Sequence, residues 1–77
     1  MSDEQASPIV DPAARVHPDA ALGPGVTVAM GAIIEADVVL GQGSEIGPNA
    51  VLYSGTVVGD QVKVGPGAVL GLSLIHI

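Results

Sequence analysis

The chain has 77 residues, a net charge of −6 and no cysteine, and Tyr53 is its only Phe, Trp or Tyr. That length holds at most one small domain, and without cysteine there can be neither a disulfide nor a thiolate metal site. Arg15 and Lys63 are the only cations, so the chain has no basic face for nucleic acid or for an anionic membrane surface.

In chain order, the first eight residues, MSDEQASP, form an acidic, polar lead that does not read as a signal peptide. No apolar run approaches the ~20 residues of a membrane span. From Val10 onward every sixth residue is aliphatic: Val10, Val16, Leu22, Val28, Ile34, Leu40, Ile46, Leu52, Val58, Val64 and Leu70. Four residues after each comes a small or β-branched residue: Ala14, Ala20, Val26, Ala32, Val38, Ser44, Ala50, Thr56, Val62 and Ala68. Gly often follows the aliphatic directly, at 23, 41, 47, 59, 65 and 71, and Pro comes second, at 12, 18, 24, 48 and 66.

A period of six does not fit an amphipathic helix, which needs apolar residues at i, i+3, i+4 and i+7. Recurrent Gly and Pro would also break a helix. A hairpin sheet would place its turns about 8–12 residues apart. The pattern therefore predicts an all-β fold over residues 9–71, with short strands joined by sharp corners as in the hexapeptide class of parallel β-helix. The aliphatic and the small residue of each unit are expected to point inward. The Gly after each aliphatic is expected to supply corner dihedrals that a Cβ would resist, and Pro to pre-set others.

On the stretches IVDPAARVHPDAALGPGV, GAIIEADVVLG and NAVLYSGTVVG the chain resembles the hexapeptide-repeat acyltransferases. It is most similar to the N-terminal part of the UDP-N-acetylglucosamine O-acyltransferases of lipid A synthesis. The resemblance implies a left-handed parallel β-helix with three hexapeptides per triangular coil, hence about three to four coils of a longer helix. It also implies a cytoplasmic homotrimer with active sites between subunits. Its partners would be acyl carrier protein, as donor, and a UDP-sugar whose 3-hydroxyl takes the acyl chain; no cofactor is implied. The pathway's N-acyltransferase has similar rungs but a uridine-binding domain ahead of them. Other hexapeptide sugar acetyltransferases, a γ-class carbonic anhydrase and a non-catalytic β-helix oligomerisation module remain open alternatives.

The candidate chemistry is sparse. The similar enzymes use a histidine as general base, as an imidazole suits, but on a coil several turns further along. His17 lies in the second unit and is expected to be a solvated corner residue. GPGV, GQGSEIG and GPGAVLG are expected to form corners, since a phosphate loop needs a following helix. Asp11, Asp19, Glu35, Asp37, Glu45 and Asp60 are the carboxylates of the repeat. Glu35 and Asp37, two apart, would share one face of a strand, with solvation favoured over metal binding. A three-histidine zinc site cannot be assembled from this segment. Tyr53 stands where Gly is usual and is expected to pack between coils or at a subunit contact. No catalytic, cofactor-binding or metal residue is expected within the chain.

The pattern stops at Gly71. Position 76 is due an aliphatic and holds His76. The segment LSLIHI, 72–77, also resembles one reading frame of a transposon-end library adapter. It is expected to be a sequencing scar, with the repeat continuing beyond it in the parent gene. An open-ended stub of this kind is expected to be aggregation-prone.

Overall fold

The computed structural model describes residues 7–71; most of the acidic lead, the LSLIHI segment and His76 lie outside the described residues. Eleven two-residue strands follow one another: β1 (Ile9–Val10), β2 (Arg15–Val16), β3 (Ala21–Leu22), β4 (Thr27–Val28), β5 (Ile33–Ile34), β6 (Val39–Leu40), β7 (Glu45–Ile46), β8 (Val51–Leu52), β9 (Val57–Val58), β10 (Lys63–Val64) and β11 (Val69–Leu70). They stack in parallel into three faces. The first is β1-β4-β7-β10, the second β2-β5-β8-β11 and the third β3-β6-β9. Ile9 pairs with Thr27 and Val10 with Val28, a register of eighteen residues that every other pair repeats. Three strands make a turn, so the solenoid has three full turns and two strands of a fourth. This is the expected all-β architecture, without a helix among the described residues, and it is consistent with a left-handed β-helix of hexapeptide repeats.

The core is the expected double column. Val28, Ile34, Leu40, Ile46, Leu52, Val58 and Val64 are buried, with Val26, Ala32, Val38, Ser44 and Ala50 beside them. Thin side chains suit this interior because each layer lies one strand spacing from the next, about 4.8 Å. The columns fail at the ends. Val10 and Val62 were expected to point into the core; they are 37% and 39% exposed, because neither has a described coil on its outer side.

The corners correct one expectation. Glycines directly after the inward aliphatic do not adopt left-handed φ, with Gly71 the exception. The left-handed residue is the third after the aliphatic: Gly25, Gly31, Asp37, Gly43, Asn49, Gly55, Gln61 and Gly67. In Gly23-Pro24-Gly25-Val26 this is the φ of a type II turn, with Pro at its first central position and Gly at its second. The glycines after the aliphatic serve close packing instead. A Cβ on Gly47 would stand 2.8 Å from the Gly65 carbonyl carbon of the coil above.

The first two corners are built differently. Ala13 and Asp19 occupy the third position there and are not left-handed. The turns close with Ala14 N–H donating to Asp11 O (2.8 Å) and Ala20 N–H to His17 O (2.9 Å). Both sequences suit a type I turn, which accepts Pro at its first central position and needs no positive φ.

Candidate functional site

An open groove of about 640 Å³ lies where the second face meets its corner, lined by Arg15, His17, Ile33, Glu35, Ala36 and Ser54 among others. The register sets its polar rim. His17, Glu35 and Tyr53 each follow a strand of the second face and stand above one another, eighteen residues apart.

His17 is committed to its turn. Its Nδ1 accepts a hydrogen bond from the Asp19 N–H at 3.0 Å. A neutral imidazole that accepts at Nδ1 carries its proton on Nε2, so this bond engages the ring's lone pair. Asp11 does the same work one corner earlier, accepting from the Ala13 N–H at 2.8 Å. In the later coils the corresponding N–H donates downward to the coil below, as in Gly43 to Pro24 O and Gln61 to Gln42 O (2.9 and 2.8 Å). Asp11 and His17 take these N–H groups at corners with no described coil below them. His17 is thus a corner residue, as expected, but with a structural duty beyond being solvated.

The other carboxylates also fall on corners and faces rather than into a site. Glu35 and Asp37 were expected to share a strand face. They instead lie in the corner after β5 (Ile33–Ile34), with Asp37 at φ 61°. Glu35 accepts a long hydrogen bond from Ser54 Oγ, 3.5 Å. Asp60 Oδ1 accepts from the Gln42 N–H at 2.9 Å, tying two coils together. Glu45 faces Lys63 on the exposed first face at 3.9 Å, a solvated pair of small energetic value. Asp19 stands beside His17. Among the described residues no three His, Cys, Asp or Glu groups come together as a metal site.

Two polar residues matter more than their sequence positions suggested. Ser44, wholly buried, donates to Gly59 O at 2.7 Å and accepts from the Val62 N–H at 3.2 Å. Its hydroxyl therefore bridges the two groups that in other corners bond to each other. Thr56 Oγ1 donates to Tyr53 O at 2.7 Å. Tyr53 is half-buried, and its backbone N–H donates to Leu70 O of the coil above. The missed signal was a hydroxyl residue in an otherwise aliphatic column, which must find partners when buried.

The outward side chains distinguish the faces. The first carries Thr27, Glu45 and Lys63; the second carries Ile33, Val51 and Val69 above Arg15; the third carries Ala21, Val39 and Val57, the last 72% exposed. Among the described residues no helix is long and apolar enough to cross a membrane.

The described residues form a parallel β-solenoid of six-residue repeats. Residues 37–72 match the family model described as bacterial transferase hexapeptide (six repeats), which supports a hexapeptide-repeat transferase as the class. No curated protein and no solved structure matched the chain. Residues ahead of the matched segment continue the same register, from β1 (Ile9–Val10) to β5 (Ile33–Ile34).

Proposed function

We propose that the chain is scaffold from the N-terminal part of a hexapeptide acyltransferase. The enzyme would move an acyl chain from acyl carrier protein to the 3-hydroxyl of UDP-N-acetylglucosamine in lipid A synthesis. The observation that carries the class is the hexapeptide match over 37–72 joined to an inward aliphatic column unbroken from Val10 to Leu70. The particular enzyme rests on the resemblance of the opening rungs, Val10-Asp11-Pro12 and Val16-His17-Pro18. In this reading the enzyme is a cytoplasmic homotrimer. The exposed aliphatic faces ending in Val57 and Val69 suit subunit contacts, because contiguous exposed apolar surface marks interaction sites. His17, bound to its own turn, leaves the general base to a later coil. The segment 72–77 is read as a scar that interrupts the repeat.

Long-read sequencing of the source DNA across the Gly71 codon tests this reading. Continued hexapeptides bearing a histidine on a later coil are expected. Acyl transfer by that longer protein to the sugar 3-hydroxyl, rather than to a glucosamine amine, then separates the O- from the N-acyltransferase. A frame that closes after Ile77 would overturn the reading and favour a non-catalytic β-helix module.

A further inference from the structure

One band of the solenoid's lateral surface is both apolar and uncharged. The register stacks Pro12, Met30, Pro48 and Pro66 into a ridge at the corner between the first and second faces. Beside the ridge, the second face points Ile33 and Val51 outward, one above the other. In the two middle coils the band runs Ala29-Met30-Gly31-Ala32-Ile33 and Gly47-Pro48-Asn49-Ala50-Val51, without a charged residue. Met30 is 58% and Ile33 38% exposed, and Pro48 and Val51 are half-buried. Each of these four has a described coil above it and another below, so its exposure is lateral.

The other sides are less suited to meeting a copy of the same chain. The first face carries Glu45 and Lys63. The third carries Val39 and Val57, but exposed Asp37 lies just before Val39 and exposed Asp60 just after Val57. The corner between the second and third faces carries His17, Asp19, Glu35 and Asp37. Copies of a chain with net charge −6 repel one another, and the centre of an interface is depleted of charge. Two copies therefore meet with least repulsion where neither presents a carboxylate, and contiguous exposed apolar surface marks such a site. The spacing points to the same partner. Met30 and Pro48 lie one coil apart, as do Ile33 and Val51, so both columns repeat at the strand spacing of about 4.8 Å. A second copy matches that spacing at every level.

We infer that the chain assembles side by side with copies of itself, the ridge of Met30 and Pro48 on one molecule seated against Ile33 and Val51 of the next, coil level with coil. Ridge and face point in different directions from one molecule. A contact that covers both on every copy therefore joins two different surfaces, and with no shift along the solenoid axis it closes into a ring. The inference deepens the homotrimer reading by naming the surfaces, and rests on that reading for the number of copies. The band at the contact is uncharged, so salt acts mainly by screening the repulsion between acidic copies and strengthens the assembly.

Analytical ultracentrifugation of the 77-residue chain tests it, with far-UV circular dichroism to confirm that each variant is folded. The wild type is expected to sediment as a trimer that tightens as salt is raised. Met30→Asp spoils the ridge and Ile33→Asp the face, and each variant alone is expected to be monomeric. An equimolar mixture of the two keeps one intact junction and is expected to give a one-to-one dimer and nothing larger. Val57→Asp, on the third face, is expected to leave the trimer intact. Should either aspartate variant fail to fold, Met30→Cys and Ile33→Cys replace them in a chain otherwise without cysteine. Under mild oxidation a mixture of those two is expected to give the mixed disulfide in excess over either homodimer. A trimer that survives Met30→Asp and Ile33→Asp and yields only to Val57→Asp would overturn the inference, placing the contact on the third face while the homotrimer reading stands. A wild type that stays monomeric at every concentration and salt would overturn both.

Discussion

The first and second coils follow one repeat but close their corners in different ways. At Gly41-Gln42-Gly43-Ser44 the corner takes a left-handed residue, and its N–H reaches down to Pro24 O of the coil below. At Asp11-Pro12-Ala13-Ala14 the third residue is not left-handed, and the Asp11 carboxylate accepts the N–H instead. Equivalent positions of the repeat thus satisfy the same N–H through a side chain in one corner and through a neighbouring coil in the other.

The largest effect should come from comparing one residue type in the two settings. Leu52 is fully buried and Leu70 only half-buried. Leu52→Ala is expected to cost about 2–5 kcal/mol, and Leu70→Ala well under half of that, in urea unfolding of dilute protein. Equal losses would mean that the last coil is as well packed as the interior.

Ser44→Ala comes next. It removes the bridge between Gly59 O and the Val62 N–H, and a buried group left without a partner costs about 1–3 kcal/mol. The same unfolding measurement would detect it. A change near zero would show that the Gly59 corner closes on itself as its neighbours do.

Smaller still is a paired change at the corners. Gly25 has φ +73° with nothing nearer than 3.8 Å to a new Cβ, so Gly25→Ala is expected to cost about 1–2 kcal/mol of left-handed backbone strain alone. Ala13→Gly, in the equivalent position two corners earlier, should change stability by about 1 kcal/mol or less, through unfolded-state entropy. If the two substitutions cost the same, the distinction between the first corners and the later ones does not hold.

Much of this fold was legible in the sequence because a six-residue period fits few alternatives. The inward columns, the strand positions and the parallel stacking all follow from Val10 through Leu70. The corner chemistry was less legible. Gly47 and Gly25 are the same residue in different corner positions, yet one admits the next coil's backbone and the other supplies the left-handed φ; only the stacking separates these roles. Asp37, Asn49 and Gln61 take the left-handed position without being glycine, so composition alone could not mark it. His17 was read as a solvated corner, and its tie to the Asp19 N–H depends on a turn type that the sequence leaves open. Ser44 looked like one more small residue until the coil above placed a carbonyl and an N–H on its hydroxyl.

Amide hydrogen exchange tests most directly the claim that coil stacking holds this molecule together. The amides of Glu45, Gly47, Val51 and Tyr53, each bonded to a carbonyl of the coil above, should exchange slowly. Exchange of these four amides at the rate of unstructured peptide would contradict the account.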